Sequence, residues 1–213
     1  MSDIDVIPEI TETEWHAFER KVAMVAPYVS WIHLNVSDGT IAAATLTDFS
    51  GLSALIAQYP RVSFEARLLV ASPEKYVRQL TDAGCKRLIA HVESNDPRMF
   101  LEAAKFDEIE VGIALDGATE IDQVEPFLEE IDCVVVMTAE AGSVGGTFLP
   151  EAVEKIRLIR QNFPDLPIEA VGAINETTMR VVKDAGATRV VSNSFLFSDE
   201  TDIASRIELL KSL

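Results

Sequence analysis

A glycine-rich loop between a buried strand and a helix is the first feature whose residues suit chemistry. Gly142, Gly145 and Gly146 fall within five residues, between an apolar strand pattern at 133–137 and a helical pattern at 151–163. Glycines let backbone N–H groups approach a ligand, and the start of a helix favours an anion. The loop therefore has two interpretations, a mobile cover for a phosphorylated substrate or a connection that needs left-handed glycines.

Polar and charged side chains also lie in or just after the other apolar strand patterns. Charged residues inside strands are costly unless they are paired, so Glu65 and Arg67 predict either a functional site or a buried ion pair without a catalytic role. For His33, a hydrogen-bonded core histidine is the alternative to a ligand. The candidates are Glu9, His33, Asn35, Asp38, Glu65, Arg67, His91, Glu93, Asp116, Glu140, Glu169, Asn193 and Ser194.

The composition is that of a globular protein with one sizeable core. The chain has 213 residues, of which 48% are hydrophobic and 25% charged, and its net charge is −17. Such a charge disfavours nucleic acid as a partner, and it opposes anionic substrates unless local donors bind them. Cys85 and Cys133 lie in separate apolar patterns without a CxxC spacing, which indicates buried thiols in a reducing compartment.

Nothing in the sequence indicates a membrane partner. No apolar run approaches the roughly 18 residues of a membrane-spanning helix. The first residues, MSDIDVIPE, are acidic and lack the basic region of a secretory signal. We therefore expect a cytoplasmic protein.

Strand and helix patterns alternate along the chain. Strands are predicted at 5–10, 31–36, 63–70, 87–92, 110–115, 133–137, 167–173 and 188–192. Helices are predicted at 14–24, 50–58, 72–83, 97–105, 121–129, 151–163, 176–184 and 202–210. Eight such units predict a parallel (β/α)₈ barrel spanning 1–213 as a single domain, with functional residues at the strand C-termini. An open doubly wound sheet is the alternative, although no GxGxxG follows the first strand.

The segment WIHLNVSDG at 31–39 resembles the WIHxDxxDG signature of the ribulose-phosphate 3-epimerase family. Further similar segments follow in order over essentially the whole chain, and the resemblance implies a ribulose-phosphate-binding type of barrel. They are Pro8, 71–76, 91–93, 137–150, 153–156, Glu169, Gly172, Ser194 and Phe197.

The resemblance also implies a divalent metal held by two histidines and two aspartates, with the aspartates as acid and base. Only His33 is kept; Asn35 and Val171 replace the aspartates, and Arg67 replaces the second histidine. Asn35 and Val171 cannot exchange a proton near neutral pH. We therefore expect no metal cofactor, because three of the four ligand positions are substituted.

Arg67 could supply a fixed cation where the family holds its metal, which would favour an anionic ligand or an enediolate. A salt bridge to Glu65, Glu93 or Glu9 is the alternative. The family's phosphate-binding positions are better preserved than its catalytic ones. The candidate substrate- or phosphate-binding residues are Glu9, His91, Gly142, Gly145, Gly146, Gly172, Asn193 and Ser194.

Two functions from different classes follow. The first is a carbohydrate-phosphate epimerase or isomerase with altered acid–base chemistry, in which Glu9, Asp38, Glu93 or Glu140 is the base and Arg67 the electrophile. The second is a catalytically inactive relative that serves as a binding or scaffold protein. The expected partner is a phosphorylated sugar or another small anion, and the resemblance implies a homo-oligomer, either a dimer or a hexamer. The candidate catalytic residues are His33, Asn35, Asp38, Arg67, Glu93 and Glu140.

Overall fold

Eight parallel strands close into a barrel in the computed structural model, which describes residues 4–43, 45, 49–105, 108–140 and 146–213. The last strand pairs with the first, from Asp5 opposite Arg189 to Pro8 opposite Ser192, so the sheet has no edge. The predicted (β/α)₈ barrel is confirmed, and the open sheet is excluded. The strands are β1 (Asp5–Ile10), β2 (Trp31–Val36), β3 (Ser63–Leu68), β4 (Arg87–His91), β5 (Glu110–Leu115), β6 (Cys133–Met137), β7 (Ile168–Val171) and β8 (Arg189–Ser192).

Helices connect most of the strands on the outside of the barrel. The helix predicted at 121–129 is wrong, because the chain there forms the 3₁₀ turns Ile121–Gln123 and Glu125–Phe127. Pro126 has no N–H and its ring clashes with a preceding carbonyl, which prevents a continuous α-helix. The α-helices are α1 (Trp15–Val25), α2 (Leu52–Gln58), α3 (Val77–Ala83), α4 (Pro97–Ala104), α5 (Glu151–Asn162), α6 (Glu176–Ala185), α7 (Ser194–Phe197) and α8 (Ile203–Ser212). Within the described ranges, no helix has the length and apolar character needed to span a membrane.

Side chains alternate between two faces of each strand. Outward-facing residues pack against the helices in the main core, whereas a smaller apolar cluster fills part of the barrel interior. That interior cluster consists of Ile7, Ile89, Ala114, Val135, Met137, Val171 and Val191. The rest of the interior is occupied by charged and polar side chains.

The strand register places these polar side chains at two levels. His33 lies opposite Glu65, and Asn35 lies opposite Arg67, two residues nearer the C-terminal ends of β2 and β3. Two residues of a strand span roughly 6.6 Å. Asn35 and Arg67 therefore belong to an upper level, and His33 and Glu65 to a lower one.

Candidate functional site

The upper level contains a hydrogen-bonded cluster centred on Arg67. Its Nε donates to Asn35 Oδ1 at 3.2 Å, its Nη2 donates to Glu9 Oε1 at 3.1 Å, and its Nη1 contacts the sulfur of Met137. Asn35 Nδ2 donates to the same Glu9 oxygen at 2.7 Å. The guanidinium thus joins β1, β2 and β6 at the C-terminal end of the barrel, and Glu9 is its salt-bridge partner.

Arg67 is almost wholly enclosed, with 1% of its surface exposed. Burial lowers the pKa of its guanidinium, whereas the charge of Glu9 acts in the opposite direction. The Glu9 side chain is 13% exposed, so this ion pair lies where the interior meets the mouth of the barrel. It is a cation held by one carboxylate and one amide, adjacent to the place where a ligand would enter.

The lower level contains a second, fully buried cluster. His33 Nδ1 lies 2.7 Å from Glu65 Oε1, and Arg87 contacts the other Glu65 oxygen. Glu65 therefore pairs with His33 and Arg87, so the interior ion pair between Glu65 and Arg67 considered above does not form. Glu65 and Arg67 are two residues apart on β3, so their side chains lie at different levels of the barrel interior.

Glu169 has no hydrogen-bond partner for either carboxylate oxygen within the described residues. Its nearest charged neighbours are Arg87, with Nη1 at 3.8 Å, and His33, with Nδ1 at 3.9 Å. Burial, followed by the charge of Glu65, raises the pKa of Glu169 to about 7. Burial also opposes ionisation of Glu65, but the hydrogen bond from His33 and the charge of Arg87 outweigh it and lower the Glu65 pKa.

The positions at which the family holds its metal do not fit a divalent ion here. Arg67 places a cation next to Asn35, and Val171 offers no ligand atom. A separate set of donors, from His33, Glu65 and Glu169, lies within 4.8 Å and has types that could hold a metal ion. Arg87 already contacts Glu65 in that set, and all three donors are buried.

A third arrangement surrounds His91 at the end of β4. His91 Nδ1 lies 3.1 Å from Glu93 Oε2, while the other Glu93 oxygen accepts the Asp116 N–H at 2.8 Å and the Thr119 hydroxyl. Burial opposes ionisation of Glu93, but the hydrogen bonds from His91, Thr119 and Asp116 outweigh it and lower its pKa to about 2. Glu93 is therefore an acceptor that orients the imidazole.

Asp38 and Glu140 are exposed at the ends of β2 and β6. Asp38 accepts hydrogen bonds from the Thr40 N–H at 3.0 Å and the Tyr76 hydroxyl at 3.4 Å. The hydrogen bond from the Thr40 side chain lowers its pKa. Both carboxylates lie at the C-terminal end of the barrel, but no described contact joins Asp38 to the Arg67 cluster.

The candidate phosphate-binding residues after β7 and β8 lie at the same end of the barrel. Gly172 has a φ of +112°, and an added Cβ there would meet Ala139 at 2.7 Å, so this position needs glycine. Asn193 Nδ2 donates to the Glu9 carbonyl at 2.8 Å, Ser194 is exposed, and Gly146 is half-buried. Gly142 and Gly145 lie outside the described residues.

Two features of the site were not predicted from the sequence, the charged residues at the strand starts and the contacts of Lys155. Arg87 stacks over the Trp31 ring at 3.9 Å and reaches Glu110 at 2.6 Å, which completes the buried network from below. Lys155 donates to three carbonyls of the turn after β5. The available signal was the charge of Arg87 and Glu110 in otherwise apolar strand patterns, and, for Lys155, its place in the family-like segment 153–156.

Comparisons with known proteins agree with the fold and the motif. The sequence profile described as the Ribulose-phosphate 3 epimerase family matches residues 5–197. A ribulose-phosphate 3-epimerase of Schizosaccharomyces pombe is 29% identical over 92% of this chain and 88% of its own length. The cytoplasmic isoform of ribulose-phosphate 3-epimerase from Oryza sativa subsp. japonica is 30% identical, and the match covers 82% of this chain and 78% of that protein.

Solved structures share the barrel at low sequence identity. A 3-hexulose-6-phosphate synthase superimposes with a TM-score of 0.79 at 17% identity, covering 98% of this chain and 99% of that one. Likeness at this level concerns the fold alone, whereas the profile match covers most of the chain. The protein belongs to the ribulose-phosphate 3-epimerase family.

Proposed function

We propose that the chain binds a phosphorylated sugar at the C-terminal end of the barrel and enolises it without a metal ion. The reaction class would be epimerisation or isomerisation next to a carbonyl. The observation that carries the proposal is the buried guanidinium of Arg67, hydrogen-bonded to Asn35 at one of the substituted ligand positions. A fixed cation there can stabilise the negative charge of an enediolate.

Charge balance supports the same chemistry. The family's site combines a divalent cation with two carboxylates, which sum to zero. Here Arg67 contributes +1 and Glu9 −1, and Asn35 and Val171 are neutral. The local charge is thus conserved although each of its carriers has changed.

Phosphate binding is proposed at the loops after β6, β7 and β8. Gly172 keeps a positive φ and lies against Ala139, so its backbone can approach a ligand closely. Asn193 ties the end of β8 to β1 through the Glu9 carbonyl, which links this loop to the Arg67 cluster. Gly146 and Ser194 belong to the same proposal.

Three measurements test the proposal together. Ribulose phosphate is expected to raise the melting temperature. In D₂O the enzyme is expected to place deuterium at C3 of this sugar. Metal analysis of the purified protein is expected to find less than stoichiometric zinc, iron or manganese. A tightly bound metal would refute enolisation without a metal ion, and bound sugar without any exchange would refute enolisation altogether.

A second candidate is a binding or scaffold protein without catalysis. The observation favouring it is that all three nitrogens of the Arg67 guanidinium already have acceptors. A guanidinium whose nitrogens are all engaged in this way can have a purely structural role. This candidate predicts a rise in melting temperature with ribulose phosphate and no deuterium at C3, so the exchange experiment separates the two functions.

A further inference from the structure

His91 has one ring nitrogen engaged and the other unpaired. Its Nδ1 lies 3.1 Å from Glu93, whereas its Nε2 is buried and has no hydrogen-bond partner within the described residues. Only 1% of the residue is exposed. Leaving a buried polar atom unpaired costs free energy, so an unpaired atom at the C-terminal end of a barrel strand points to a ligand group.

Glu93 determines which nitrogen carries the proton. With a pKa of about 2, its carboxylate is ionised and can only accept hydrogen bonds. The Nδ1 atom of His91 must therefore donate to it. In a neutral imidazole this leaves the lone pair on Nε2.

Lys155 holds the turn after β5, whose residues donate to the other oxygen of Glu93. Its Nζ donates to the carbonyls of Asp116, at 3.2 Å, Gly117 and Thr119, at 2.6 Å. Asp116 and Thr119 are the residues that donate to Glu93 Oε1. Lys155 on α5 thus fixes the turn, the turn positions Glu93 through its hydrogen bonds, and Glu93 orients the His91 ring.

The surroundings of His91 keep its imidazole neutral, as a proton acceptor requires. Burial lowers the pKa of His91, and the nearby charge of Arg67 acts in the same direction, against the hydrogen bond to Glu93. The imidazole is therefore neutral at neutral pH and lies close enough to Arg67 to sense its charge. Proton abstraction next to a carbonyl needs such a pair, a neutral base and a cation for the developing oxyanion.

We infer that His91 is the proton acceptor of this site, taking over from the substituted aspartate positions, with Glu93 and Lys155 as positioning residues. The inference rests on the proposed function. The C3–H bond of ribulose phosphate breaks, its proton moves to Nε2, and the electron pair flows to the carbonyl oxygen, which gives the enediolate. Return of a proton from Nε2 to C3 restores the ketone, and in D₂O it leaves deuterium at C3.

Exchange at C3 of ribulose phosphate, followed by NMR in D₂O, tests the reaction role. His91→Gln is expected to slow exchange about 100-fold, the usual contribution of a general base. Lys155→Met is expected to slow it about tenfold by misplacing the base, and Lys155→Arg to restore most of the rate. Lys211→Met is the matched control, since Lys211 also donates to a backbone carbonyl, that of Tyr28, but lies outside the site.

The exchange results separate the inference from the function on which it rests. If the wild type exchanges and His91→Gln exchanges equally fast, the inference fails and the proposed function stands. If the wild type binds ribulose phosphate without exchange, the proposed enolisation fails and the reaction role of His91 fails with it.

Nitrogen-15 NMR gives a second readout that needs no activity. The chain has three histidines, so the spectrum is simple. His91 is expected to carry its proton on Nδ1 in the wild type and in Lys155→Arg, and to show both tautomers in Lys155→Met. A protonated Nε2 in the wild type would overturn the inference, as would an unchanged tautomer in a folded Lys155→Met.

Discussion

The buried carboxyl group of Glu169 leads to a prediction about how the stability of the protein depends on pH. It faces Glu65 on β3, His33 on β2, Arg87 on β4, Arg189 on β8 and Cys133 on β6, all inside the barrel. Arg87, its nearest cation, lies 3.8 Å away and already contacts Glu65, and neither Glu169 oxygen has a hydrogen-bond partner within the described residues. Burial and the charge of Glu65 therefore favour the protonated form of Glu169.

The magnitude follows from the pKa. The pKa of Glu169 is raised from 4.5 to about 7, and each pKa unit corresponds to about 1.4 kcal/mol. Because the folded state binds the proton more tightly, the stabilisation is complete below pH 4.5 and is lost as the pH rises through about 7. Wild-type protein should therefore lose about 3 kcal/mol through this group between pH 4.5 and pH 8.

The test compares the wild type with Glu169→Gln by urea denaturation at several values of pH in that range. Glutamine cannot ionise, so the variant should lose about 3 kcal/mol less than the wild type over this range. Glu154→Gln is the matched control, since its side chain is 63% exposed, and it should follow the wild type. Parallel curves for the wild type and Glu169→Gln would refute the raised pKa of Glu169.

The remaining predictions concern the upper level and the loops. Arg67→Met should cost about 3 kcal/mol because it leaves the Glu9 carboxylate without its cation, with the Asn35 amide still donating to it. Adding Glu9→Gln should recover part of this loss in urea denaturation, and fully additive losses would contradict the pairing. Gly172→Ala should cost about 2 kcal/mol or more in the same assay, because its Cβ would meet the Ala139 backbone at 2.8 Å. The same variant should also reduce the rise in melting temperature that ribulose phosphate causes. Gly39→Ala, also at positive φ but with open space around it, should cost only about 1 kcal/mol, and equal losses would refute the contact argument. Combining Asn35→Asp, Arg67→His and Val171→Asp should create metal uptake that the wild type is expected to lack; equal metal content in the two proteins would refute metal independence.

The sequence by itself determined the fold and the family. Alternating apolar strands and helices have periods that depend only on local geometry, so the eight units predict a parallel barrel, and the pairing of β8 with β1 excludes the open sheet. The WIHLNVSDG segment pointed to the family that the profile match over residues 5–197 then showed. The same resemblance implies that Asn35, Arg67 and Val171 stand at the positions of its metal-binding side chains. Pro126 lies in the connection after β5, where the helical pattern was misleading.

Only the tertiary structure decided which charges pair. Glu65 and Arg67 are neighbours on one face of β3, yet Glu65 binds His33 and Arg87 while Arg67 binds Glu9. The reason is geometric: residues two apart on a strand lie roughly 6.6 Å apart, whereas side chains from adjacent tilted strands meet inside the barrel. Strand stagger is a property of the closed barrel and leaves no mark in the local sequence. The contacts of Lys155 with the turn after β5 likewise exist only once α5 has packed against the barrel.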